Sequence, residues 1–198
     1  MTGAELGDKR GRPRRYDFKA PEGFASEAIG YSVSVLDELS ERVIDQIDDL
    51  PPEAFAYRHP NVWFCLGWLP LHAARSELSQ IQKLARRLTG TSLEVDDDLS
   101  AILAHGALDA DGSVPAELQD AVVMVDAMRR VRTEITTPFC RTISDPNATL
   151  EGAETLSTPQ NVLAHLFWHW TYHSGHIGLM RLEWGSDYEW VMASAPVT

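Results

Sequence analysis

The residues best equipped for chemistry in this chain are its seven histidines: His59, His72, His105, His165, His169, His173 and His176. Four of them fall within twelve residues, in the run HLFWHWTYHSGH that starts at His165. Placed on a helix at about 100° per residue with His169 at zero, His165 falls near −40°, His173 near +40° and His176 near −20°. All four rings project from one stripe, and Val162 and Met180 share it, so the stripe faces a core. A buried polar ring without a partner costs about 1–3 kcal/mol, and four of them on one face argue for a common partner. A metal ion is such a partner, because imidazoles at i and i+4 stand about 5–6 Å apart at Cβ and can converge on one cation. The pairs His165/His169 and His169/His173 meet that condition equally well.

Residue type excludes several familiar uses of such a cluster. The segment HWTYH has Trp170 where a zincin protease carries its glutamate base. No Glu-x-x-His pair occurs, which removes the di-iron carboxylate bundles. No Cys-x-x-Cys-His motif supports haem attachment. Cys65 and Cys140 lie far apart outside any CxxC motif and read as small buried hydrophobes in a reducing compartment.

The body that positions these residues is an ordinary globular one. Its 198 residues, 44% apolar and 23% charged, suffice for one domain with a real core and no need of disulfides. The net charge of −12 is unevenly spread. Residues 1–20 form a basic arm containing RGRPRR, and the acidic remainder, 21–198, repels phosphate backbones, which argues against nucleic-acid binding. The arm is expected to pack on an acidic surface, its own or a partner's. No secretory leader pattern opens the chain and no stretch of roughly 20 apolar residues could span a bilayer, so the expected location is cytoplasmic.

Periodicity predicts an all-α fold, a four-helix bundle with a long linker between helices two and three. The first helix starts near Phe24, with Phe24, Ala28, Tyr31, Val35, Leu39, Val43 and Ile47 as its apolar stripe, and ends at Leu50-Pro51-Pro52. The second runs from an Asn61 cap to Gly90, with Pro70 kinking it one turn from His72. The linker 91–112 is acidic and turn-rich, with a short helix over 99–105. The third follows Pro115, with the stripe Leu118, Val122, Val125, Met128, Val131, Ile135 and Phe139. Thr158-Pro159 opens the fourth, which ends at Gly185. Trp168, Trp170 and Tyr172 are expected to pack, and Gly175 and Gly178 to admit a neighbouring helix.

The run HLFWHWTYHSGHIGLMRLEWG (165–185) resembles the last helix of the DinB/YfiT-like metal-binding four-helix bundles, whose pattern is H-x3-H-x3-H-R-G-Q followed by an Arg and a Gly. LPLHAARSE (69–77) resembles the family's early helix-two motif of a His with a Glu five residues later. The resemblance implies a divalent metal held by His72, His169 and His173, with Glu77 nearby; His165, on the same stripe, is expected to hydrogen-bond behind the ligands. Ser174 and His176 stand where the family has Arg and Gln. Zinc, nickel or iron(II) suits a ligand set of three imidazoles. The family includes low-molecular-weight-thiol S-transferases, a thiol-dependent maleylpyruvate isomerase and metal-dependent hydrolases. The leading expectation is a metal-dependent transferase that activates a low-molecular-weight thiol for attack on a small electrophilic substrate. A hydrolase using metal-bound hydroxide, with Glu77 or His176 moving the proton, is the alternative. A non-catalytic metal-stabilised binding bundle is the third reading, and a homodimer is compatible with all three.

Overall fold

A computed structural model describes residues 7–192; residues 1–6 of the basic arm and the tail 193–198 lie outside the described residues. More than half of the chain is helical, so the class is all-α. The helices are α1 (Glu27–Ile47), α2 (Pro52–Phe55), α3 (Trp68–Thr89), α4 (Asp97–Ala104), α5 (Ala121–Arg130), α6 (Thr137–Arg141) and α7 (Pro159–Trp184). A π turn, Val131–Thr136, joins α5 to α6 without a break.

The last helix forms where its punctuation says it should. The Thr158 hydroxyl accepts from the Asn161 amide, Pro159 occupies the first turn, and Gly185 ends the helix at a φ of 111°. Helix α1 runs parallel to α7: Gln160 donates to Ser32 near their starts and Arg181 to the Gln46 carbonyl near their ends. Helix α3 runs antiparallel to α7, since Glu77 meets Trp170 while Phe64, just before α3, meets His176. Ile29, Val33, Leu36, Leu71, Ile81, Leu163, Leu166 and Ile177 belong to the core between them.

Three sequence expectations need correction. Helix α3 begins at Trp68 rather than Asn61, so Pro70 sits in its first turn, where a missing N–H breaks no ladder bond and no interior kink is called for. In α1 the buried stripe is Ile29, Val33, Leu36, Val43, Ile44 and Ile47, while Tyr31 is exposed; the polar Ser32, Ser40, Asp45 and Gln46 are buried beside it and masked the true face. The third long segment starts at Ala121 on an Asp120 cap, and Met124 rather than the exposed Val122 faces the core. Leu118 lies in a preceding 3-10 turn.

Two-residue strands β1 (Lys9–Arg10) and β2 (Tyr188–Glu189) pair in parallel and bring the first and last described segments together. The basic arm is docked there against α1. Asp45, buried in α1, accepts from the Arg12 amide at 2.8 Å and its Nε at 2.7 Å, and it pairs with Arg14 at 3.0 Å and takes the Tyr188 hydroxyl. Burial alone would raise the Asp45 carboxyl, but Tyr188, Arg12 and Lys9 outweigh it and hold it well below the usual range.

Asp45→Ala takes from the buried Arg14 guanidinium its nearest carboxylate, leaving Glu38 at 3.8 Å, and is expected to cost about 3 kcal/mol in urea unfolding. Asp48→Ala, at the solvent-exposed rim of the same cluster, is expected to cost less than about 1 kcal/mol. Equal effects would mean that the arm is held by net charge rather than by Asp45.

Candidate metal centre

Helix α7 sets His169 and His173 one turn apart on the side facing α3, and α3 supplies His72 from its second turn. The His173 ring packs edge to face with the other two, which are tilted at 48° to each other. Their centroids are 5.1 Å apart for His72 and His169, 4.9 Å for His72 and His173, and 4.5 Å for His169 and His173. One ligand atom from each lies within 4.8 Å of those of the other two, close enough to hold a metal ion. His72 Nε2 and His169 Nε2 are 3.3 Å apart. Two imidazole nitrogens bound to one tetrahedral zinc at about 2.05 Å would stand about 3.3 Å from each other.

The ring of His72 is fixed on two sides. Trp68, one turn earlier, stacks on it at 4.1 Å with 13° between the planes. Its Nδ1 lies 2.9 Å from the Gly106 carbonyl oxygen, so Nδ1 carries the proton and donates, leaving the Nε2 lone pair toward His169. His169 has no such support: its Nδ1 is buried and meets no hydrogen-bond partner among the described residues. A ring packed for structure alone would have both nitrogens satisfied. The donor set, with the Nε2 atoms of His72 and His169 facing each other, fits a cation shared by the three imidazoles.

All three rings are pushed toward the neutral form that a ligand needs. Burial, together with the charges of the adjacent histidines, lowers His173 to about 3 and His169 to about 4. Burial also lowers His72, against the Gly106 hydrogen bond and with help from the Arg75 charge.

The supporting residues divide sharply. Glu77 is fully buried, accepting from Arg132 at 2.8 and 2.6 Å, Thr136 at 2.6 Å and Trp170 at 2.7 Å. Burial would raise its carboxyl, but the charge and hydrogen bonds of Arg132 hold it low. With its lone-pair directions taken, Glu77 ties α7 to α3 through the residue next to His169. His165 is half-buried with its ring 6.1 Å from that of His169, and it hydrogen-bonds to none of the ligands. His176 brings Nδ1 to 3.4 Å from His173 Nδ1 and is half-buried beside Tyr172.

Other expectations fare unevenly. Trp170 packs as expected, whereas Trp168 and Tyr172 stand 76% and 60% exposed. Gly178 faces Gln46, whose Nε2 would lie only 3.2 Å from an added Cβ, while Gly175 faces open space. His59 pairs with Glu183 and His105 ends α4, both outside the cluster. Cys65 and Cys140 are buried, and burial raises both thiols, Cys140 to about 12. No family model and no curated protein matches the chain.

Two residues that the sequence did not single out hold it. Arg132, presented by the π turn, pairs with Glu77; Gly106, in the linker after α4, grips His72. A Cβ on Gly106 would come within 2.4–2.6 Å of the Leu71 and His72 backbone. Gly106→Ala is thus expected to push the linker off α3 and release the His72 ring. Metal affinity by competitive chelation should fall about 10–100-fold, while Gly175→Ala leaves it unchanged. Equal affinity in both variants would remove Gly106 from the site.

In the metal-free protein the unfolded chain takes up protons near pH 6.5, whereas folded His169 and His173 do so only near 4 and 3. The unfolded state binds more protons in between, so stability falls as the pH drops from about 6.5 toward 4. The melting temperature should decline over that window, and less steeply in His169→Ala/His173→Ala. Parallel profiles would contradict the assignment.

Proposed function

We propose that this chain is a DinB-like four-helix bundle, built from α1, α3, the continuous α5–α6 segment and α7, and that it is a metal-dependent enzyme activating a low-molecular-weight thiol for transfer to an electrophile. The observation that carries the reading is the convergence of His72, His169 and His173, neutral and desolvated, with two Nε2 atoms at a shared-ligand separation. Bound there by three uncharged donors, a divalent cation keeps its full charge and supplies Lewis acidity that favours the thiolate over the thiol, or hydroxide over water.

The chain's own residues do the rest. Trp68 and the Gly106 carbonyl hold His72 in one orientation and one tautomer. Trp170, bonded to Glu77, fixes the rotation of α7 that presents His169 and His173. Glu77 serves as a positioning residue, because its acceptor directions are occupied by Arg132, Thr136 and Trp170. His176 is the titratable ring left beside the triad and is the residue that takes up the proton a thiol or water gives up. Ser174, in place of the family's Arg, is used internally: its hydroxyl donates to Gln46 of α1 at 2.9 Å.

Conjugation of 1-chloro-2,4-dinitrobenzene with each common cellular thiol, by metal-free protein and by protein loaded with zinc, nickel or iron(II), tests the reading. Metal-dependent turnover is expected with at least one thiol. It should fall by more than about 100-fold in His169→Ala, beyond what loss of a supporting hydrogen bond costs. Metal-dependent cleavage of p-nitrophenyl acetate without thiol would replace the transferase by the hydrolase. Turnover of neither would leave only the metal-stabilised binding bundle.

A further inference from the structure

Beside the triad lies a hollow of about 350 Å³ that His72 itself helps to line, within the range of small-molecule sites. It runs along α3 toward that helix's C-terminus. His72, Ser76 and Lys83 recur at steps of four and seven, which puts them on one stripe of the helix, with Arg75 alongside. Arg75 stands less than one turn beyond His72, and Lys83 lies about 16 Å along the axis from it. The opposite wall is the linker, where Asp109 is the only acidic lining residue and the exposed Leu108 offers an apolar edge.

The charge at this place runs against the chain. In a protein of net −12, α3 carries Arg75, Lys83, Arg86 and Arg87 against a single acid, Glu77, which is buried and spent on Arg132. Arg86 and Arg87 lie in the last turn, where the helix dipole favours cations. That account does not reach Arg75, near the other end. Neither Arg75 nor Lys83 makes an ion pair among the described residues. The larger hollow between α1 and the π turn, about 460 Å³, is more nearly balanced: Asp37 and Glu41 line it, Arg129 is taken by Glu41 and Arg132 by Asp37 and Glu77, and of its three arginines Arg141 alone makes no ion pair among the described residues. Two cations without ion-pair partners, facing a single acid across a ligand-sized hollow, make an anion site.

We propose that this hollow binds the carboxylate or phosphate of a small molecule through Arg75 and Lys83, and that the substrate of the histidine site is accordingly an anion. The second half rests on the metal-centre reading above. The anionic group would lie on the α3 side of His72 while the reacting atom reaches the triad.

Isothermal titration of the full chain, cobalt-loaded, with 3-mercaptopropionate and its uncharged amide tests this. Absorption of the cobalt–thiolate band reports separately whether the sulfur reaches the ion. The acid is expected to bind about tenfold more tightly than the amide, as one charge-assisted contact predicts. Arg75→Gln/Lys83→Gln should abolish that preference while leaving the amide affinity and the melting temperature unchanged. Equal affinity of acid and amide in the wild type, or a preference surviving in the variant, would overturn the anion site while the cobalt band still upheld the metal centre. Should no cobalt bind, the metal reading fails alone, and titration of the metal-free chain with succinate and glycerol phosphate decides the hollow. Binding of either that is lost in the variant supports it and names the preferred group; no binding overturns it.

Discussion

The structure depends on bringing three imidazoles out of water and into contact while each stays uncharged. Neutral rings at these separations have few ways to satisfy their nitrogens. His72 spends one nitrogen on a backbone carbonyl, and His169 has one buried and unpartnered. What remains is a set of ring nitrogens crowded within 4.8 Å of one another, an arrangement that a shared cation would suit. The desolvation that makes the apo site costly also lowers the ring pKa values, so the feature that strains the site keeps it ready for a metal at neutral pH.

Holding that geometry falls to a buried polar framework around the site. Glu77, Arg132, Asp37, Thr136 and Trp170 join α3, the π turn, α1 and α7 in one network whose central carboxylate is saturated. Gln46 and Ser174 bind each other twice across α1 and α7, directly behind His173. Arg181, wholly buried, reaches Gln46, Asp49 and Ser186. Such groups add less stability than apolar residues of similar shape would, but they tolerate little sliding or rotation. A site built from rings a few ångströms apart needs that restriction. The π turn belongs to the same logic, since it presents Arg132 and Thr136 together to one carboxylate.

Helix α7 was the most legible element in the sequence, because cap, proline and terminal glycine frame it and the histidine stripe needs only helical periodicity. Helix α3 was legible in its body but not at its start, since a proline is equally at home in a first turn and in a kink, and only tertiary structure distinguishes the two. In α1, buried Ser32, Ser40, Asp45 and Gln46 look like surface residues by type, which displaced the reading of its core face. Of the site, the pair on α7 was narrowed to His169 and His173 by resemblance alone, and His72 likewise. Gly106 left no local signal, because its role is a carbonyl and an absent side chain in a turn-rich linker. Arg132 was equally silent: one basic residue on an amphipathic segment reads as solvated until Glu77 is found opposite it.

Metal stoichiometry is the most direct measure of the central claim. The purified protein and its His72→Ala, His169→Ala, His173→Ala and His165→Ala variants would be dialysed against limiting zinc and assayed by elemental analysis. One tightly held ion per chain is expected in the wild type and in His165→Ala, with none in the other three. Full retention of zinc by His169→Ala, or its loss from His165→Ala with the triad intact, would contradict the account.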